Sequence, residues 1–502
     1  MESSRQPHRG DMTLEELRRV GAGVIEAIAQ YHAGLDQRRV LPAATPAQVA
    51  SQFGDALPEI GISPDEILRD WADRVVPLLT AVGSPRHFGF VNGSGSMIGI
   101  LADALAACVN TNAGGWKLGP AATEIERQCL RWIAGLVGYP TDCGGIVTTG
   151  GTMANFTALL TALRHVAPYD STPDGLQDAQ RQGRFLVYMS DHEGHVSITR
   201  VVDLMNLGRN SIRRVPSHSD FTMDTNALSR MIQEDRARGD LPFCVVAQLG
   251  SINVGAIDPL EGIADICAEH GIWLHVDGAC GLLAAMLPEM RDAVRGLERA
   301  HSASFDPHKW LGVPYDCGLV LIRHSEWLRR AFSITAPYLR GNQDTESNVG
   351  MDYFEYGPEM SRGFRALKLW MTLRFYGADA LRDSFAQSIA LGRQLHELVR
   401  SHPDFEVLHE PKMYIYSFRY RPSGLSDRAG EPEIKERLDR LNQEISEAVQ
   451  RSGVAMVMTS RVRGNVVLRL SICSQRTEPE DIQQTFEALA EAGRELSSLI
   501  EV

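Results

Sequence analysis

Several stretches of the chain are almost wholly apolar: residues 184–189 (RFLVYM), 243–249 (FCVVAQL), 272–276 (IWLHV), 302–305 (SASF) and 318–322 (GLVLI). Runs of this kind, without strict polar alternation, predict strands covered on both faces. Between 243–249 and 272–276, residues 260–270 have a helical pattern, which makes a βαβ unit and implies a parallel sheet. The alternation of strand and helix extends from about residue 84 to 377, an α/β pattern. Before it, Thr13 and Glu16 have capping-box spacing. Leu17, Val20, Val24, Ile28 and Tyr31 follow at helical intervals. After the connector LPAATPAQV a second helical stretch is expected over 64–80. An arm with an apolar stripe needs a surface to cover it, and a second subunit is expected there. After about residue 383 comes a long helix, strands at 413–420 and 466–472, and a closing helix. That last helix has a Thr477/Glu480 capping box and an apolar face of Ile482, Phe486 and Leu489. The expected division is therefore a helical arm (1–83), a large domain (84–382) and a small α+β domain (383–502).

Composition narrows the class of partner. The chain has 502 residues, 44% hydrophobic and 23% charged, with a net charge of −13. The acidic balance argues against a nucleic-acid or anionic-membrane partner, either of which favours a basic surface. No apolar run reaches the ~18 residues of a membrane span, and the polar first residues lack the apolar core of a secretion signal. The eight cysteines are scattered, with no CxxC pair. They read as reduced core thiols, Cys108 and Cys244 among them, in a cytoplasmic protein.

Candidate chemistry begins at strand ends. In IWLHVDGAC an apolar strand runs into Asp277, and ligands of open α/β sheets sit beyond the carboxyl ends of strands. Alone, Asp277 could equally cap the next helix. Past the following strand, SFDPHKWLG places Lys309 after Asp306 and His308. A partly desolvated lysine is expected to have a lowered pKa and so a free amine, able to condense with an aldehyde to a Schiff base. An acid and a lysine at neighbouring strand ends suit pyridoxal 5′-phosphate: the acid faces the ring nitrogen and the lysine holds the aldehyde. In VTTGGTMANFTALL, Gly150, Gly151 and Thr152 lead into a helix, a cradle for the phosphate. In SDHEGHVSITR, His195 is the expected residue to stack on the ring, with His192 as the alternative. HEGH is not HExxH, and no metal is expected. GSGSMIG only approximates a dinucleotide fingerprint, its third glycine falling one residue late.

With these residues in place, the chain resembles the PLP-dependent group II amino-acid decarboxylases over nearly its whole length. The pair of blocks HVDGA and DPHKWLG is the most specific part of the likeness. The resemblance implies fold type I, an obligate homodimer with active sites at the subunit interface, and decarboxylation of an L-amino acid, aromatic in preference, to the amine. It implies that Lys309 is the Schiff-base lysine, Asp277 the pyridinium partner, Ala279 and His195 the groups on the two ring faces, and Asp306 and His308 the polar pair before the lysine. Tyr338, in APYLRG, matches a tyrosine that protonates the product carbon; oxidative, aldehyde-forming members typically have phenylalanine there. Arg362 matches an arginine near the active site. Phe90, Val91, Asn92, Asn112 and Gly114 match pocket-lining positions, several smaller or more polar than a catechol slot suggests. Three further departures stand out. Ile252 replaces a threonine found in many members, Asp306 replaces an asparagine of animal members, and the turn before His195 has one extra residue. Other chemistry on the same fold, such as oxidative aldehyde formation or carbon–carbon lysis, is the alternative, followed by cofactor binding without catalysis.

Overall fold

A computed structural model describes residues 11–173, 175–176, 183–334 and 350–497. Tyr338 lies outside the described residues. The large sheet contains β1 (Gly144–Thr148), β2 (Phe185–Ser190), β3 (Ile212–Val215), β4 (Leu241–Gln248), β5 (Trp273–Asp277), β6 (Ser302–Phe305) and β7 (Gly318–Ile322). Their spatial order is β1-β7-β6-β5-β4-β2-β3. The run β6-β5-β4-β2-β3 is parallel, while β7 is antiparallel to both its neighbours. Strands β1, β2, β5, β6 and β7 are buried along their whole length, as expected of strands covered by helices on both faces. This is the mixed, mostly parallel sheet of a type I fold. Its parallel strands deliver their carboxyl ends to one edge, where β5 finishes in Asp277 and β6 leads into Asp306.

The second sheet joins β8 (Phe405–Val407), β9 (Ile415–Tyr420), β10 (Met458–Val462) and β11 (Asn465–Ser471) in the antiparallel order β10-β11-β9-β8. The helices Pro432–Ser452 and Pro479–Ser497 bury apolar faces in this part of the chain, the latter with Ile482, Phe486 and Leu489. One continuous hydrophobic cluster includes residues of both sheets. The connection is tightened by residues 86–96. The Phe88 N–H donates to Met456 O and the Ser471 N–H to Phe88 O, after which the Gly93 N–H donates to His308 O and the Ser96 N–H to Gly312 O. Gly93 has no room for a side chain, since a Cβ there would lie 2.1 Å from Lys309 O.

Five strands of the large sheet fall within two residues of their expected bounds. β1 and β3 are additional: β1 opens with two glycines, and β3 is an edge strand reading IRRV, half exposed. The stretch 64–80 is α-helical only over Pro64–Asp70, then continues as a π turn (Trp71–Val75) and a 3₁₀ turn (Val76–Leu78). Pro77 lacks the N–H an α-helix would use there. The helix expected from residue 383 is the second half of a longer one, Ala366–Ser401, broken at Gly377 (φ 72°, ψ 171°). Thr13 and Glu16 form their capping box. Thr477 forms none: its hydroxyl donates to Pro85 O, and the helix starts at Pro479. Cys108 is exposed rather than in the core, and all eight cysteines are free.

Arg362 supports the sheet from below. Its Nη2 donates to Glu126 Oε1 at 2.7 Å and to Val147 O at 2.6 Å, and Glu126 Oε1 also accepts the Val147 N–H at 2.9 Å. Both side chains are almost fully buried. The pair thus fixes β1, which leads into Gly150. Removing one partner leaves a buried, uncompensated charge, so Arg362→Met should lower the free energy of unfolding by about 3–5 kcal/mol. Urea denaturation reads this directly; a loss below about 1 kcal/mol would mean that water or another group takes over Glu126.

Candidate active site

At the carboxyl edge of the large sheet lies a cavity of about 320 Å³. It is lined by the 149–153 turn, Asn155, His195, Ser197, Ala279, Asp306, His308 and Lys309. The helix Gly151–Val166 points its N-terminus here, with no side-chain cap, leaving N–H groups and the positive dipole end for an anion. A Cβ on Gly150 would lie 3.1 Å from His308 Cε1, and one on Gly151 would lie 2.8 Å from Asp306 Oδ2. The glycines therefore let the turn close on the cavity.

Asp277 lies beneath the floor. Its Oδ2 accepts from Asn155 Nδ2 at 3.0 Å, and its Oδ1 accepts from the Ala279 N–H at 3.2 Å and Ser304 Oγ at 3.3 Å. Burial alone would push its carboxyl up, but the neighbouring His195, His275 and Lys309 and the Ala279 N–H hold it below the ordinary value. Asp277 is thus a buried carboxylate. Asn155 extends the network, because its Nδ2 also donates to Ser197 Oγ at 3.0 Å and its Oδ1 meets His275 Nε2 at 3.0 Å. The Ser197 N–H donates to His195 Nδ1, and the Ser197 hydroxyl lies 2.8 Å from the same nitrogen. That assigns the His195 proton to Nε2. Burial lowers the His195 pKa, so the ring is neutral at neutral pH.

Lys309 reaches the cavity from a turn anchored by Trp310, which is buried against Phe385 and Tyr414 at centroid distances of 4.6 and 4.4 Å. Its Nζ pairs with Asp306 Oδ2 at 2.9 Å and lies 3.7 Å from Cys280 Sγ. The expected free amine is corrected here. Burial pushes the Lys309 pKa down, but its interactions with Cys280 and Asp306 outweigh that and raise it well above its ordinary value. Burial also keeps the Cys280 thiol protonated, so Asp306 is the lasting counter-charge, and without a cofactor Lys309 is an ammonium. The second Asp306 oxygen, Oδ1, is buried without a partner.

The family defined by the pyridoxal-dependent decarboxylase conserved domain matches residues 46–421. This chain belongs to that family. It is 31% identical to the aromatic-L-amino-acid decarboxylase of Bacillus atrophaeus over 488 residues, 97% of each chain. It is 29% identical to the phenylacetaldehyde synthase of a Rosa hybrid cultivar, across 96% of this chain and 95% of the other. The Oryza sativa TDC solved with PLP and tryptamine superposes with a TM-score of 0.88 at 26% identity, covering 98% of this chain and 100% of that one. The chain is thus a PLP-dependent amino-acid decarboxylase, a carboxy-lyase of fold type I. The cavity fits that cofactor on its own terms: an uncapped helix N-terminus and two glycines for a phosphate, a buried carboxylate for a ring nitrogen, and an amine for an aldehyde.

The structure gathers Gly150, Gly151, Thr152, His195, Ala279, Asp306, His308 and Lys309 around the cavity, with Asp277 directly behind. His192 stays outside, its side chain 46% exposed beside Asp191. None of the six expected substrate residues lines the cavity. Arg362 is committed to Glu126. Asn112 Oδ1 accepts the Gly114 and Arg362 N–H groups, and a Cβ on Gly114 would strike Met360 O. Val91 is buried and Phe90 is 53% exposed. Asn92 comes closest, accepting from Tyr315 Oη at 2.7 Å, and the Tyr315 ring lies 4.3 Å from that of His308.

Sequence reading missed Asn155, Tyr315, Cys280 and Arg469. Arg469, on β11, donates to Ile252 O and Phe90 O, each at 3.0 Å. Asn155 was detectable only as the lone amide on the helix after the Gly-Gly turn. Among the described residues no cluster of metal-ligating side chains occurs, and no helix is long and apolar enough to cross a membrane.

His275, fully buried behind Asp277, has its pKa pushed down to about 4 by that burial. Unfolding restores an ordinary pKa of about 6.5, so the unfolded chain gains protons first and stability falls as pH drops through that range. Burial lowers His87, His301 and His409 to about 4 as well, whereas Asp258, raised to about 6 by burial, opposes with a single proton. Urea unfolding should therefore show lower stability at pH 5 than at pH 7, with about 2 kcal/mol from His275 alone. Equal midpoints would contradict the buried neutral state.

Proposed function

We propose that this decarboxylase acts on an aromatic L-amino acid and releases the corresponding amine, with Lys309 holding the cofactor aldehyde. The observation that carries the assignment is the joint placement of Lys309, Asp277 and the uncapped Gly150–Gly151–Thr152 turn around one cavity. When bound, pyridoxal phosphate supplies the electron sink that accepts the pair left as CO₂ departs. The chain supplies the rest. Asp277, held ionised by its surroundings, would keep a proton on a ring nitrogen. His195 would present a neutral imidazole to the cofactor ring, fixed by Ser197, and Ala279 would leave room for that ring in the cavity. Gly150, Gly151 and Thr152 take the phosphate on backbone N–H groups. Capture of the aldehyde requires Lys309 to give up its proton, and Asp306 Oδ2 is the nearest base. Tyr338 is assigned the proton delivered to the product carbon, on the strength of the family pattern.

Support for an aromatic substrate comes from the Bacillus enzyme and from the rice protein solved with tryptamine. A second reading, oxidative formation of an aldehyde, has the rose relative in its favour and a tyrosine rather than phenylalanine at 338 against it. The chain is further proposed to act as a homodimer in the cytoplasm. The helix Leu14–Ala33 buries none of its residues within the monomer and leaves Leu14, Leu17 and Ile25 exposed, an apolar surface of the kind a second subunit covers.

The deciding experiment is mass spectrometry of PLP-loaded protein incubated with pooled L-amino acids, beside Lys309→Ala. The expected result is one amine formed by loss of CO₂, absent with the variant. Aldehyde and ammonia in its place would establish the oxidative reading, and turnover only of non-aromatic substrates would overturn the aromatic one.

A further inference from the structure

Glu193 lies in the turn between β2 and His195, where an acid ordinarily faces water, yet it is 2% exposed. Its Oε1 accepts from Asn253 Nδ2 at 3.3 Å. The turn is shaped to bring it inward: the next residue is Gly194, where a Cβ would lie 2.1 Å from Met189 Cε and 2.7 Å from Ser190 O. Asn253 continues the connection. Its Nδ2 also reaches His192 O at 3.4 Å, its Oδ1 accepts from Ser460 Oγ at 2.6 Å, and its carbonyl accepts from Ser417 Oγ at 2.7 Å. The adjacent Ile252 carbonyl accepts from Arg469. Ser417, Ser460 and Arg469 stand on β9, β10 and β11, three strands of the small sheet. Glu193 therefore sits where the His195 turn, the loop after β4 and the small sheet meet.

We propose that Glu193 is a positioning residue whose hydrogen bond to Asn253 locks the His195 turn to the loop after β4 and to the small sheet, setting His195 against the cofactor ring. This rests on the reading of His195 as the ring-facing residue. The contact needs an acceptor oxygen facing Asn253 Nδ2, which a glutamine supplies as well. Burial raises the Glu193 pKa, against the Ser251 hydroxyl and the Asn253 and Val254 groups that favour its ionised form. An amide of the same shape should serve in its place.

The test titrates apo wild type, Glu193→Gln and Glu193→Ala with pyridoxal phosphate and follows the visible circular dichroism of the bound cofactor. Glu193→Ala should bind about tenfold more weakly, the loss of roughly one hydrogen bond, and its visible dichroism should diminish. Glu193→Gln should bind as tightly as wild type. A merely structural role would lower the urea midpoint of the apo protein while leaving cofactor affinity and dichroism unchanged, and that result overturns the proposal. So does a Gln variant as weak as the Ala variant. Ser460→Ala loosens only the outer end of the connection and keeps the test open if Glu193→Ala does not fold. It should weaken binding about threefold, and unchanged binding counts against the proposal. A wild-type chain that gains no visible band at all refutes the cofactor reading and this inference with it, whereas a normal band with indifferent variants refutes the inference alone.

Discussion

A carboxylate held ionised away from water is the constraint around which this site is built. Leaving an unpaired charge in a protein interior is costly, and Asp277 is offset by nearby Lys309 and by three donors that converge on it. Each donor comes from a different element: Asn155 from the helix after β1, Ser304 from β6, and the Ala279 N–H from the turn after β5 itself. The order β7-β6-β5-β4 brings these elements side by side, and the helix from Gly151 crosses behind them. Its N-terminus then faces the cavity without any further adjustment. The carboxylate, the anion cradle and the lysine turn are consequences of one arrangement of strands.

Asn155 gives that arrangement its rigidity. Its two amide protons are committed to Asp277 and Ser197, and its oxygen is committed to His275. Through Ser197 the same side chain decides which nitrogen of His195 carries a proton. A single neutral residue thus links the carboxylate at the end of β5 to the His195 ring at the cavity, and polar networks of this kind act as units.

The legible part of the sequence was the part written in local pattern. Uninterrupted apolar runs located β2 and β4 to β7, with Asp277 at the end of β5 and Lys309 shortly after β6, while the Gly150–Gly151 turn stood out by its own motif. What stayed hidden depends on distance in the fold. Asn155, Tyr315 and Arg469 are ordinary residues until the chain folds over them. Arg362 sat in a suggestive motif but was drawn into the support of β1 by Glu126. Burial alone predicts a free Lys309 amine, whereas Cys280 and Asp306, brought beside it by the fold and the local turn, reverse the sign. The Thr477 box is absent because the helix starts later, at Pro479, and the Thr477 hydroxyl donates instead to the distant Pro85 carbonyl.

Residues 86–96 cross between the two sheets, bonding first to Met456 and Ser471 and then to the backbone of the lysine turn. The small sheet is therefore no detachable module. A gene fragment ending near residue 383 would lose the partner that seats Phe88 and leave Trp310 without Phe385 and Tyr414. Recombination among relatives would have to exchange this strap together with the C-terminal sheet, so the two behave as one heritable unit although nearly the whole large domain separates them in the sequence.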